Sequence, residues 1–489
     1  MAPDALTDAR PHLRSAEEYR ASLRDGRRVF YRGEAVADVT THEVFRHAVE
    51  HASLDFRMAH DERYRELAIG PDGYSRYFTI PRTSEDVLAR SALIEAATRA
   101  GKTLVVLIKE IGSDALFSML ALKGQLGEPY AGRIQAFYEH CRDGDLAVCV
   151  AQTDVKGDRS KGPSQQANAD AYVRIVETRP DGIVVRGAKV HTSVSVNANE
   201  MIVLPTRAMG PDDRDYAVAF AVPLDTPGLT LVASPYLATK GKNAFEHPLS
   251  AERKMVETTT LFDDVFVPSE RVFMAGQYEL AGELARGFVE FHRFTAISYK
   301  LPLVDALVGA ALLASRVNGL DRAGHVRDKL SWLISYAETL RALTHHAAER
   351  AKVVDGVAIP DTLIVNIAKL QFAQGLHTAF QHVQDIAGGL LVTYPALEDL
   401  DHPEYGAALT RYMEAAGGAS GDERLRVMNL ISDLTAGEYG GYQAVLAVHA
   451  EGSIEAEKLT ILAQYERERA IDYARWLAGI EEGEWPPKD

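Results

Sequence analysis

The sequence predicts an α+β chain in three stretches: a helical N-terminal domain over residues 1–145, an antiparallel β-barrel over 146–276, and a helical C-terminal domain over 277–489. Three observations carry this expectation. Apolar residues recur at helical spacing before residue 145 and again after residue 277. Between them lie short β-type runs separated by turn residues. Those runs are too closely spaced for the long helices of a parallel βαβ array, which leaves an antiparallel sheet or barrel.

The elements follow in order. Ser15-Ala16-Glu17-Glu18 and Thr83-Ser84-Glu85-Asp86 resemble helix starts, a hydroxyl cap followed by first-turn acids. Ser84–Lys123 keeps a helical period around one weak point, Gly101. Leu146–Val150, Tyr172–Val176, Gly182–Arg186, Met201–Leu204 and Tyr216–Val222 read as strands, with Arg179-Pro180-Asp181-Gly182 and Gly210-Pro211-Asp212-Asp213 as turns. Helical patterning returns over 277–317, 322–353, 360–387, 421–436 and 453–478. No internal repeat or low-complexity tract interrupts the chain.

Bulk composition narrows the function. A chain of 489 residues, 46% hydrophobic and 25% charged, has ample material for a core. A net charge of −16 argues against nucleic-acid binding, which needs a basic stripe. The two cysteines, Cys141 and Cys149, cannot alone hold a four-ligand iron–sulfur cluster, and no zinc-type spacing is present. The opening residues lack the apolar core of a secretion leader, and no run reads as the roughly 18 apolar residues of a membrane span. A cytoplasmic protein with neither membrane nor nucleic-acid partner is expected.

Several short segments carry chemistry. A flavin needs donors or cations at its pyrophosphate and hydrogen bonds around its ring. No Gly-x-Gly-x-x-Gly follows a strand here, so a Rossmann-type site is unsupported. Thr153-Asp154-Val155-Lys156-Gly157-Asp158-Arg159 crowds donors just after a β run, although such a stretch is more often a solvated turn. His191-Thr192-Ser193 is a second polar cluster, in a strand context where a structural histidine is the commoner case. His292 and Lys300 are eight residues apart on an apolar helical segment and fall within about 80° of each other. Two titratable groups on such a face are costly unless paired or used. Glu257 lies in a strand-like run; buried, its carboxylate would titrate high and serve as acid or base, while the pattern alone favours an outward residue. Asp385-Ile386-Ala387-Gly388-Gly389 reads as a glycine-capped helix end or a close backbone approach to a ligand. His345-His346 lack the i, i+4 spacing of a metal pair and receive no role.

Taken in order, Thr153–Arg159, Arg174–Lys189, Asp215-Tyr216-Ala217-Val218, Phe262–Pro268, His292-Arg293, His325–Leu330 and Asp385–Leu390 give the chain a resemblance to a known superfamily. Over nearly its whole length it resembles the 4-hydroxyphenylacetate 3-monooxygenase / 4-hydroxybutyryl-CoA dehydratase superfamily, more closely the dehydratase branch. The resemblance implies an acyl-CoA-dehydrogenase-like fold of helical domain, middle β-barrel and helical bundle, assembled as a dimer or tetramer. It implies FAD between the β-domain and the helices, partly completed by a neighbouring subunit. It places Thr153, Asp154, Lys156, His191, Thr192 and Ser193 against FAD, with further contacts from Asp385, Gly388, Gly389, Gly437 and Glu438.

The departures are informative. The dehydratase branch holds an iron–sulfur cluster with three Cys and one His; His292 matches the His, but Val106, Glu110 and Tyr299 stand at the Cys positions. Ala296 falls near that branch's catalytic Tyr, while Lys300 and Glu257 match. The phenol-recognising Arg and Tyr of the hydroxylase branch fall near Lys109 and Ser113, and its active-site His near Val150. The expectation is therefore a two-component flavin monooxygenase without a cluster. It would take reduced FAD as cosubstrate from a separate flavin reductase and oxygenate a small substrate, aromatic ones included. His292, Tyr299 and Lys300 would stand near the flavin's reactive face, with Glu257 and Glu110 as the candidate catalytic carboxylates. Two other readings stand beside it: a cluster-less flavoenzyme acting on an acyl thioester, with Glu257 or His292 as base, and a flavin-fold scaffold that has lost its catalytic site.

Overall fold

A computed structural model describes residues 11–480, Leu237 excepted. The opening stretch used in the leader argument lies mostly outside the described residues. Both expected helix starts form as capping boxes: Ser15 caps Ala16–Ser22 with Glu18 in return, and Thr83 caps Ser84–Ala100 with Asp86 in return. Gly101 ends the second of these helices, so the long periodic stretch becomes two helices, Ser84–Ala100 and Glu110–Leu126.

The strands up to residue 275, however, build two open sheets among the described residues rather than one closed barrel, and a separate two-stranded hairpin, Lys352–Val354 with Val357–Ile359, lies in the helical C-terminal half. The first is six-stranded, in the order β2 (Glu34–Val36), β1 (Val29–Tyr31), β8 (Leu229–Ala233), β9 (Glu257–Pro268), β5 (Gly182–Ser193), β4 (Arg174–Arg179). The second runs β10 (Val272–Ala275), β7 (Val218–Pro223), β6 (Glu200–Val203), β3 (Val148–Ala151). Two pairs, β1 with β8 and β3 with β6, are parallel; the remaining pairs in these sheets are antiparallel. The reason is connectivity. β1 and β2 arrive from the N-terminal segment and extend the edge beside β8, while β3 reaches β6 only after the chain has crossed to make β4 and β5, a detour long enough to restore its direction.

The long pair β5–β9 is the backbone of the site. Its register slips twice, between Val185 and Gly187 and between Lys189 and Thr192. At the second slip His191 takes φ +61°, a left-handed conformation uncommon for a side chain of this size, and the strand re-aims there.

One helix, Tyr278–Val317, runs through the C-terminal half. By length and composition it could cross a membrane, which the linear reading did not register, but two-thirds of its most apolar window is buried inside the chain. It packs on Ser84–Ala100, Glu110–Leu126, Gly324–Glu349 and Thr362–Ala387, as a core helix does. Helix Glu110–Leu126 also closes on the second sheet: a Cβ on Gly112 would stand 2.3 Å from the Val148 Cβ, so only glycine permits that approach.

Candidate active site at the helix–sheet seam

The central helix delivers His292, Tyr299 and Lys300 to one buried region, as its period demands. His292 stacks on Phe288, with ring centroids 5.2 Å apart, and its Nδ1 lies 3.0 Å from the Asp114 carboxylate. Asp114 is fully buried; it also accepts from Arg90 at 2.7 Å and from Thr295 at 2.9 Å. Arg90 spends its other donors on the Tyr77 and Glu110 carbonyls and the Ser113 hydroxyl.

Two helical turns further, Lys300 pairs with Glu451 at 2.8 Å, and the Tyr299 hydroxyl donates to the same carboxylate. Glu451 stands on the short loop between helices Glu438–His449 and Ile454–Gln464, with φ +56°. Lys369 approaches Glu451 at 3.7 Å and Glu457 at 3.2 Å, and Arg293 donates to the Glu451 carbonyl at 2.8 Å. Burial alone would raise the Glu451 carboxyl, but Lys300, then Lys369 and His292, pull it down to about 2. Burial brings Lys300 down to about 8 against the pull of Glu451. The Tyr299 phenol is pushed well up, first by burial and then by Glu451.

From the sheet side comes Glu257, the first residue of β9. It accepts from Ser193 at 2.8 Å and from Tyr442 at 2.9 Å. Burial raises its carboxyl, and the Glu451 charge raises it further. Two carboxyls within electrostatic reach are thus driven apart, one acidic and paired with cations, one held only by hydroxyls, the pattern that separates acid from base roles. Tyr442 titrates high for the same reasons, burial first and Glu257 second.

The turn after β3 approaches β5, the strand paired with β9. Asp154 does not present its carboxylate outward: it is buried in a 2.8 Å ion pair with Lys189, accepts from the Val173 N–H at 2.9 Å, and is bonded by Thr206. Thr153 supports the turn through its carbonyl, which accepts from Val190. Thr192 is buried in a hydroxyl ladder with Thr260. The residues left facing outward are Lys156, at φ +73°, and His191. Lys156 is lowered by burial and then by Arg159, with Arg207 adding to the effect; His191 is lowered by burial, then by Lys156 and His449.

Other sequence candidates land elsewhere. Glu110 is buried, but its carboxyl meets Asp55 rather than His292; burial raises both, and in Asp55 the Glu110 charge adds to it. Asp385 is a surface residue paired with Lys329 at 2.8 Å, and Gly388 caps the helix Thr362–Ala387 with φ +82° beside Gly389. Gly437 borders a cavity of about 330 Å³ between that helix and the junction of helices Gly421–Thr435 and Glu438–His449, lined by His377, Gln384 and Thr435 among others. Glu438 pairs with Lys242 at 3.0 Å. The reading from sequence missed Asp114, Glu451, Tyr442, Lys369 and Arg90. Asp114 had a signal, a lone acid inside an apolar helical run; Glu451 and Tyr442 had none.

The donor set does not fit an iron–sulfur cluster. Val106 is apolar, Glu110 is committed to Asp55, Tyr299 to Glu451, and both cysteines lie free in the core.

Residues 15–274 match the family profile described as 4-hydroxyphenylacetate 3-hydroxylase N terminal, and residues 281–479 its C-terminal counterpart. The chain is 30% identical to the 4-hydroxybutyryl-CoA dehydratase/vinylacetyl-CoA-Δ-isomerase of Clostridium aminobutyricum, across 96% of this chain and 100% of that one. It is also 30% identical to the oxygenase component of 4-hydroxyphenylacetate 3-monooxygenase from Thermus thermophilus, across 85% of this chain and 86% of the other. A crystal structure of such an oxygenase component complexed with FAD superposes with a TM-score of 0.89 at 29% identity, covering 95% of this chain and 98% of that one.

Proposed function

The chain belongs to the 4-hydroxyphenylacetate 3-hydroxylase family, and from that membership we propose that it is the FAD-dependent oxygenase component of a two-component monooxygenase, served by a separate flavin reductase. The observation that carries this over the dehydratase reading is the donor set at the seam: His292, Tyr299, Lys300 and Glu257 are assembled there, and no thiolate stands with them. Oxygen transfer needs no cluster.

The residues present fit FAD. Lys156 is lowered by burial and by the nearby charges of Arg159 and Arg207, against the pull of Asp154, and among the described residues no carboxylate stands within ion-pair distance of any of the three cations. Two arginines gathered around Lys156 in this turn suit a pyrophosphate. From there His191, Ser193 and Glu257 lead along β5 and β9 to the His292 region, where a flavin ring would meet the helix. Bound in reduced form, the cofactor supplies the two electrons that let O₂ place one atom on the substrate and the other in water. The chain's own residues do the rest. His292, its Nδ1 turned to Asp114, offers Nε2 to the proton of a substrate hydroxyl. Phe288, Phe291 and Ala296 line the helix around it with apolar, water-excluding surface. The substrate class is a small electron-rich compound, a phenol first; Lys109 and Ser113 are occupied by Asp145 and Arg90, so recognition differs from the hydroxylase pattern.

The test is isotopic. Chain loaded with reduced FAD and given ¹⁸O₂ with 4-hydroxyphenylacetate or 4-nitrophenol should yield product carrying one ¹⁸O, with no turnover under argon. Turnover of a 4-hydroxyacyl thioester under argon would overturn the reading. A second expectation concerns the cations. Lys156→Ala with Arg207→Ala should weaken FAD binding about 10- to 100-fold, most strongly at low salt, as charge-assisted contacts to phosphate do. Unchanged affinity by fluorescence titration would remove the pyrophosphate assignment.

A homo-oligomer is part of the proposal. Helix Arg467–Leu477 buries none of its residues against the rest of the chain, and Leu459, Leu462, Ile471 and Leu477 are exposed beside one another in sequence. Apolar surface of that extent needs cover. A chain ending at Glu466 should show a lower assembly mass by light scattering than the full chain; an identical mass would exclude this helix from the contact.

A further inference from the structure

We propose that Asp114 is the positioning residue of the site, and that Arg90 and Thr295 set which tautomer of His292 it selects. This rests on the reading that His292 accepts the substrate's proton. The argument is one of donors and acceptors. Arg90 and Thr295 both reach the same carboxylate oxygen, Oδ1, at 2.7 Å and 2.9 Å. A guanidinium can only donate. Oδ1 is therefore committed as an acceptor, in a 2.7 Å ion pair with Arg90. The other oxygen, Oδ2, meets His292 Nδ1 at 3.0 Å and is likewise an acceptor.

It follows that Nδ1 carries the proton. In the neutral ring Nε2 is then bare, and it has no hydrogen-bond partner among the described residues. Stacking on Phe288 fixes the plane of the imidazole, and within that plane the hydrogen bond to Asp114 is made only with Nδ1 turned toward it. The groups facing it come from four elements: Arg90 from helix Ser84–Ala100, Asp114 from Glu110–Leu126, Thr295 from its own helix, and Glu451 from the loop after Glu438–His449, whose charge reaches the ring. Glu451 is engaged by Lys300, Lys369 and Tyr299, so Asp114 alone bonds the ring.

Asp114→Asn is the discriminating substitution. Because Arg90 and Thr295 still demand an acceptor at the Oδ1 position, the amide must put its NH₂ where Oδ2 was. That NH₂ donates to Nδ1 and moves the neutral ring's proton to Nε2. The base is then blocked with its geometry intact. Turnover of 4-hydroxyphenylacetate or 4-nitrophenol should fall about 100-fold or more, within the range of general-base catalysis, while KM for the phenol and FAD affinity change by no more than a few fold.

A readout independent of turnover is the ¹⁵N spectrum of [¹⁵N]histidine-labelled, FAD-free chain, with His292 assigned by its loss in His292→Gln. The native chain should show Nδ1 of the protonated type and Nε2 of the bare type; in Asp114→Asn the two should exchange. Thr295→Val, which leaves Arg90 on Oδ1, should keep the native tautomer and lose less than about 10-fold in turnover. A native ring protonated on Nε2, or an Asp114→Asn chain without the exchange, overturns the proposal. If Asp114→Asn does not fold, the native and Thr295→Val spectra decide. A native chain that oxygenates no phenol, with the exchange still seen on Asp114→Asn, refutes the function reading and upholds the role of Asp114.

Discussion

Glu451→Ala should destabilise the chain by about 3–5 kcal/mol, the cost of removing one partner from a buried ion pair and leaving the other charge uncompensated. Here Lys300 loses its ion-pair partner, and Lys369 keeps only Glu457 at 3.2 Å. Lys300 and Lys369 are both enclosed, and Glu451 is the carboxylate between them, with its side chain only 2% exposed. The expected sign with pH follows from the shifts. Glu451 is held near 2 in the fold against about 4.3 in an unfolded chain, so its stabilisation is present above about 4.3 and lost as pH falls toward 2. Lys300 works the other way. Its folded value of about 8 lies below the unfolded value of about 10.4, so its buried charge costs stability below pH 8, and the cost is relieved as pH rises toward 10.4. The variant should therefore lose most stability near neutrality and recover part of the deficit in alkaline buffer, as read by denaturant midpoints across pH. A loss under about 1 kcal/mol at pH 7 would mean that Glu457 or solvent compensates both lysines.

His292→Gln should lower turnover by 10²- to 10⁴-fold, the range general acid–base catalysis contributes. Glutamine keeps a side-chain N–H for Asp114, so the buried carboxylate is not orphaned and the fold should hold. What it lacks is a bare ring nitrogen to take a proton. FAD affinity should be unchanged, because the proposed pyrophosphate cations Lys156, Arg159 and Arg207 lie on the β side of the seam. A variant with full turnover would remove His292 from the chemistry and move the search for a base to Glu257.

The sequence was readable where a single element decided the outcome. Ser15 and Thr83 announced helix starts because a capping box is a contact over three residues. His292 and Lys300 were found because titratable groups on an apolar helix stand out against its period, Tyr299 entered through the family resemblance, and the helix did bury all three together. Gly101 as a break and Gly388 as a cap are likewise local events.

Where two distant elements meet, local pattern was silent. His292 and Asp114 are 178 positions apart, Lys300 and Glu451 are 151 apart, and Glu257 and Tyr442 are 185 apart. Asp154 and Glu110 show the converse. Each sits in a segment with chemical promise, yet the fold spends Asp154 on Lys189 and Glu110 on Asp55. The barrel expectation gave way for the same reason, since β1 and β2 come from outside the β-rich stretch and join it in a direction no strand period encodes.

Taken alone, then, the sequence determined the order of helical, β and helical stretches, the family, and which helix would carry buried titratable groups. The tertiary structure decided which partner each of those groups would have, and so whether it is an acid, a base or a fixed charge. The physical reason is that periodicity reports burial, which a chain settles within one turn or one strand, whereas the charge state of a buried group is settled by whatever neutralises it.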